Sequence, residues 1–253
     1  MKLAFDVDGA GRPVLLLHST AADRRMWDAQ VPALVGAGYR TIRCDLRGYG
    51  DTPAPDRPYN DADDVLGLLD DLGVTSAAVV GSSGGGRVAL EVAARQPERV
   101  TALALLCSAG PGHEPSPGLR AFWEREEALL AAGDVAGAVE LNVDQLLGPG
   151  AGAEARELLR TMQRQVFEIG ESAAEPIAVA FDPSAITAPT LLVTGAHDLP
   201  DFREIADRLA AEIPGATRLD LDWAGHLPTL ERPDLANPIL IGFLTGAAVA
   251  DQG

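Results

Sequence analysis

The chain has 253 residues, 47% of them hydrophobic, and a formal net charge of −17. That is enough apolar material for one α/β core with an insertion, and the acidic balance argues against nucleic acid or an anionic membrane surface as partner. Cys44 and Cys107 both lie in apolar runs and Lys2 is the single lysine, so Cys-based redox, disulfide and Schiff-base chemistry have little to work with. No basic-then-apolar leader, membrane-length apolar run or internal repeat is visible, and the expectation is a cytoplasmic protein.

In chain order, Leu3 to Val7 reads as a strand, Asp8-Gly9-Ala10-Gly11 as a turn, and Pro13 to Leu17 as an apolar second strand running into His18-Ser19-Thr20. A helix near Asp28 to Ala37 ends at Gly38. Tyr39 to Cys44 is the next strand and closes on Asp45-Leu46-Arg47-Gly48-Tyr49-Gly50. After the proline-rich loop from Pro53 to Pro58, Asn60 can cap a helix through Leu72 whose first-turn acids face the positive end of its dipole.

Ser76 to Val80 is a buried strand, and it turns through Gly81-Ser82-Ser83-Gly84-Gly85-Gly86 into the helix-forming run Val88 to Ala94. Gly-x-Ser-x-Gly at a strand-to-helix turn is a nucleophile elbow. The turn leaves no room for Cβ atoms and strains the serine, which pushes its hydroxyl out of the sheet edge. The register selects Ser83, flanked by Gly81 and Gly85; Ser82 would need a glycine where Val80 stands. A phosphate loop fails because Arg87-Val88 replaces the lysine and hydroxyl that hold phosphate and magnesium. A dinucleotide fingerprint fails because it needs glycine at position 83 and an acid after the next strand, Val100 to Cys107.

From Pro111 to Ile186 no convincing strand occurs. Helical patterns run near Leu119 to Ala132, Asp134 to Leu147 and Ala153 to Ile169. Strand resumes at Pro189 to Thr194, then a helix from Phe202 to Glu212, a strand from Thr217 to Leu221, the loop Ala224-Gly225-His226-Leu227-Pro228, and a last helix after Pro233. Alternating strands and helices predict a doubly wound, mostly parallel sheet of about seven strands. The division expected is a core of 1–110 and 187–253 and a helical cap of 111–186 over the carboxyl ends of the strands, where open α/β sheets bind ligands.

The stretches Leu15-Leu16-Leu17-His18, Trp27, Asp45 to Gly50, Gly81 to Gly85, Gly195-Ala196-His197-Asp198 and Gly225-His226 together resemble the α/β-hydrolase superfamily, in its cap-bearing serine esterase and lactonase type. The likeness covers nearly the whole chain. Val79 through Ser108 has some further similarity to 3-oxoadipate enol-lactonases. The resemblance implies a catalytic set in the order Ser83, Asp198, His226, the chain order this fold uses. The chemistry asks for the same types: a serine hydroxyl needs an imidazole to take its proton, and the imidazole needs a carboxylate to fix its tautomer.

For the acid, Asp198 follows the strand ending at Thr194. Asp201 reads as a helix cap, and Asp222 lies too close to His226 along the chain. Gly84 is expected to supply one oxyanion N–H, and by resemblance Thr20 the other. The sequence departs from the family pattern there, with Ser19 where most relatives carry glycine. A second departure is one strand, rather than two, before the His18 strand. His18 is expected to brace the loop, and His113 is the next candidate base after His226. Phe122, Trp123, Met162 and Phe167 could line a pocket or pack as helix core; Trp123 and Phe167 are taken as substrate contacts. No metal-ligand spacing is seen and no cofactor is expected.

The function expected is hydrolysis of a small carboxylic ester or lactone through an acyl-enzyme. Alternatives are a carbon–carbon bond hydrolase or a non-hydrolytic lyase or haloperoxidase on the same residues and, from a different class, a receptor-like binding protein. Dehalogenases and epoxide hydrolases of this fold are disfavoured, since they carry an aspartate where Ser83 stands.

Overall fold

Each β-type run finds a partner in one sheet. The computed structural model describes residues 2–169, 174 and 176–250. Its strands are β1 (Phe5–Gly9), β2 (Arg12–Leu17), β3 (Tyr39–Cys44), β4 (Ala77–Ser82), β5 (Val100–Leu106), β6 (Thr190–Gly195) and β7 (Thr217–Leu221). They lie in the order β1-β3-β2-β4-β5-β6-β7. Only β1 is antiparallel, pairing Phe5 with Cys44 and Gly9 with Arg40. The expected first strand thus shifts by two residues. Leu3 is buried in the core but unpaired, and the ladder continues to Gly9, where a positive φ starts the turn into β2.

The interior strands are apolar on both faces, as a sheet covered on both sides requires. Leu15 and Leu17 of β2, Ala77 and Val79 of β4, and Leu103 and Leu105 of β5 pack to one side. There they meet α2 (Asp61–Asp71), α3 (Gly84–Arg95) and α7 (Pro200–Glu212) through Val65, Leu69, Leu90, Val92 and Leu209. The alternate residues Val14, Leu16, Ala78, Val80, Ala104 and Leu106 pack to the other side, against Leu34 of α1 (Gln30–Gly36) and against Leu240 and Leu244 of α9 (Pro233–Ala250). Each fully buried Leu or Val is worth about 1.5–3 kcal/mol against exposure.

Between β5 and β6 the chain inserts α4 (Pro117–Ala131), α5 (Val135–Leu146) and α6 (Ala153–Ile169). Ser116 and Asp134 cap the first two, each accepting from an N–H three residues on. A short α8 (Pro228–Glu231) precedes α9. The insertion is tied to the sheet by specific bonds. Asp201, in the first turn of α7, accepts from Ser116 N–H (2.7 Å), the Ser116 hydroxyl (2.6 Å) and His113 Nε2 (2.8 Å). Gln165 of α6 donates to the Gly50 carbonyl at 2.8 Å and accepts from Arg25 at 2.7 Å.

Asp201 is therefore not the cap of its own helix. Leu199 holds the N-cap position of α7 without a side-chain bond, and the inward-facing Asp201 carboxylate anchors the start of the insertion. Burial alone would raise its pKa, but the Ser116 and His113 bonds outweigh that and hold it down to about 2.

Candidate active site

β4 delivers Ser83 to the carboxyl edge of the sheet and α3 begins one residue later. Ser83 sits at φ 52°, ψ −117°, in the left-handed half of the map, and its N–H donates to the Leu106 carbonyl of β5 at 3.0 Å. The surrounding glycines are enforced by contact. A Cβ on Gly81 would lie 2.5 Å from the Gly85 carbonyl oxygen, and one on Gly85 would lie 2.3 Å from the His18 carbonyl oxygen. Ser82 is still in the strand, fully buried, its hydroxyl without a hydrogen-bond partner among the described residues. Ser83, by contrast, opens on a cavity of about 510 Å³.

His226 reaches the same cavity from the loop after β7. Its Nδ1 is 2.8 Å from Asp198 Oδ2, and both side chains are almost fully buried. Asp198 Oδ1 accepts the Leu199 N–H at 2.7 Å, so both carboxylate oxygens have fixed partners. Phe202 packs on the imidazole with ring centroids 4.1 Å apart. Asp222 is exposed.

On the opposite wall, Gly84 is the first residue of α3, so its N–H has no acceptor within the helix. Thr20 stands beside it: a Cβ on Gly84 would meet Thr20 Cγ2 at 2.5 Å. Ser19 shapes this loop. Ser19 Oγ accepts the Ala21 N–H at 3.2 Å and its carbonyl accepts the Ala22 N–H at 2.9 Å. His18 braces the loop as expected. Its Nε2 accepts the Leu46 N–H at 2.9 Å, which fixes Nδ1 as the donor to the Ser19 carbonyl at 2.8 Å. Burial lowers its basicity and keeps the ring neutral.

The far walls come from the insertion and α7: Phe122, Trp123, Leu146, Phe167 and Phe202 line the cavity. Trp123 is 48% exposed although it lines the cavity, whereas Met162 is fully buried between helices and takes no part in the lining. Polar groups on this side are Glu126, Asn142 and Gln163. Asn142 donates to Glu126, and Gln163 Oε1 is buried without a partner among the described residues. The lining residues include no Lys or Arg; Arg208 packs behind Gly110 and Gly112.

Two side chains at this site were not singled out from sequence. Cys107, at the end of β5, has a positive φ of 45° and donates its thiol to the Gly225 carbonyl at 3.6 Å. It lies with Asp198 and His226 in a trio whose nitrogen, oxygen and sulfur atoms are within 4.8 Å of one another, a spacing a metal ion could use. Burial first, then the Asp198 charge, push the Cys107 thiol well up, which keeps it protonated and a poor nucleophile. Glu231 is the other. It is buried beneath the His226 loop, and the closely spaced Pro228 and Pro233 that bracket its helix are the signal that could have marked this turn.

The sequence model of the α/β hydrolase family matches residues 14–239. An esterase from Thermogutta terrifontis, solved with malate bound, is 27% identical with a TM-score of 0.78, covering 97% of this chain and 93% of that one. The enol-lactonase from Burkholderia xenovorans LB400 is also 27% identical with a TM-score of 0.78, covering 96% of both chains. A Mycobacterium tuberculosis protein provisionally named non-heme bromoperoxidase BpoC is 29% identical over 274 residues, covering 96% of this chain and 97% of its own.

Proposed function

This chain belongs to the α/β hydrolase family, and on that premise we propose that it is a cofactor-free serine hydrolase of small carboxylic esters or lactones. Ser83 is the nucleophile, His226 the base, Asp198 the acid, and the Gly84 and Thr20 N–H groups the oxyanion donors. The observation that carries the reading is the buried 2.8 Å His226–Asp198 pair, whose imidazole lines the same cavity as Ser83 at the start of a helix. Residues 111–186 act as the cap that shapes the acyl pocket.

In this reading His226 Nε2 takes the Ser83 proton as Oγ bonds to the substrate carbonyl carbon. Asp198 accepts from Nδ1 and stabilises the imidazolium. The carbonyl π electrons move onto oxygen, which the Gly84 and Thr20 amides meet at the positive end of α3. Collapse expels the alkoxide, which takes the proton from His226, and leaves an acyl-serine. Water then adds with His226 again as base, and loss of the serine oxygen releases the acid. A lactone follows the same course, its ring oxygen being the leaving group.

The lining supports a neutral acyl group. With no Lys or Arg among the lining residues and Glu126 at the wall, an acyl chain ending in a carboxylate meets repulsion and no fixed positive charge. Multiple turnover on a panel of p-nitrophenyl esters and lactones tests the reading. Tight binding without turnover would instead favour a receptor-like protein, and halide-dependent oxidation with peroxide but no hydrolysis would favour the non-hydrolytic alternative.

A further inference from the structure

We propose that Glu231 is a positioning residue: its carboxylate fixes the loop that carries His226 and joins that loop to the insertion, so that it sets the reach of the base towards Ser83. The inference rests on the reading of His226 as the base. Glu231 is 3% exposed, and no cation contacts its carboxylate among the described residues. Its hydrogen bonds come instead from backbone. The Gly225 N–H lies 3.0 Å from both oxygens, the Leu227 N–H donates to Oε1 at 3.1 Å, and the Gly148 N–H donates to Oε2 at 2.9 Å. A buried carboxylate satisfied by amides alone is costly to desolvate, and burial raises its proton affinity against the pull of those amides. A carboxylate is needed here because it offers acceptors only. Any donor at this place would confront three inward-pointing N–H groups.

Residues 225 and 227 flank the base directly, so the carboxylate clamps the backbone on both sides of His226. The remaining amide of the three, His226 N–H, donates to the Leu146 carbonyl at the end of α5, at 2.8 Å. Every N–H from 225 to 227 is therefore assigned, and one carboxylate plus one α5 carbonyl assign them. The fit is close on all sides. A Cβ on Gly225 would stand 2.4 Å from Gly148 N, and one on Gly148 would stand 2.6 Å from both Glu231 Oε2 and Gly225 N. Leu146 itself lines the cavity. A group bound against α5 presses on the same backbone that holds the base.

The test uses the full-length protein, Glu231→Gln and Gly148→Ala. Glutamine keeps the shape but turns an NH2 towards at least one inward N–H. Gly148→Ala adds a methyl at the junction without touching the chemistry. For Glu231→Gln on a p-nitrophenyl ester, kcat should fall roughly 10- to 100-fold with KM within about threefold, the scale of a small misplacement of a catalytic group. Fluorophosphonate labelling of Ser83 should slow in the same proportion. Gly148→Ala should lower kcat likewise, and the double variant should lose no more than the worse single, since both act through one junction.

A variant that melts earlier but keeps wild-type kcat per folded molecule overturns the proposal, because Glu231 is then structural only. Multiplied losses in the double variant overturn the shared junction. Should Glu231→Gln not fold, Gly148→Ala alone decides, with retained kcat refuting. If the wild type hydrolyses no ester and Ser83 takes no label, the hydrolase reading itself has failed, a result distinct from any of these.

Discussion

Replacing Asp198 by asparagine isolates what the buried carboxylate does for the imidazole. The exchange conserves volume, and the structure dictates how the amide must sit. Leu199 N–H donates to Oδ1 at 2.7 Å, so the amide oxygen has to stay there and its NH2 faces His226 Nδ1 from the 2.8 Å Oδ2 position. Nδ1 is then forced to accept, the ring proton moves to Nε2, and the nitrogen that should take the Ser83 proton is blocked. The lost carboxylate also leaves the imidazolium of the transition state without its anion in a site almost closed to water. Wrong-tautomer variants of such sets lose roughly 10⁴-fold in kcat, about 5 kcal/mol of barrier. The assay is steady-state hydrolysis of p-nitrophenyl butyrate, with circular dichroism melting as the folding control. A loss below tenfold in a folded variant refutes the assignment of the acid, and an equal loss in Asp201→Asn would move it to Asp201.

Three further outcomes follow from the same geometry. Asp201→Asn should leave kcat near wild type but destabilise the protein by about 1–3 kcal/mol at pH 7, the scale of lost hydrogen bonds to a charged group. Because the Asp201 pKa is held down to about 2, that stabilisation is present above the unfolded carboxylate range and fades as pH falls from about 4 through about 2. Melting curves of wild type and variant should therefore converge in that window, and a constant gap would contradict the linkage. Trp123→Ala, at a half-exposed cavity wall, should change kcat/KM among acetate, butyrate and octanoate esters by more than threefold while shifting the melting temperature little; uniform losses with a lowered Tm would mean the residue is core. A p-nitrophenyl ester of monosuccinate should be cleaved at least tenfold less efficiently than the butyrate, a difference of about 1.4 kcal/mol; a preference for it would point to Arg208 turning into the cavity.

Much of this was legible in the chain. Strand runs such as Tyr39–Cys44 and Thr217–Leu221 match the ladder residue for residue, because their alternating side chains fit a strand and glycine turns at Gly38 and Gly215 precede them. β4 runs two residues further than its apolar run, since Ser82 still pairs with Leu106 of β5. Ser83 was legible from glycine spacing, for the steric demand of the turn is local. His226 and Asp198 were legible because chain order and strand ends place them.

What could not be read depends on contacts distant in sequence. Asp201 reads as a helix cap from its neighbours, yet its partners are His113 and Ser116. Glu231 was not singled out from its own segment, and the approach of Gly148 together with the Gly225 and Leu227 N–H groups shows that it is a buried acceptor. Met162 and Phe167 share one helical pattern, and the packing of α5 against α6 decides that the first is core and the second lines the cavity.

The central claim is that Ser83, and no other serine, is the nucleophile. Incubating the native protein with a fluorophosphonate and mapping the adduct by peptide mass spectrometry tests it directly. One adduct per chain on Ser83, absent in Ser83→Ala and slowed in His226→Ala, is the result predicted. Labelling at Ser82, or no adduct in a protein that still turns over esters, would contradict it.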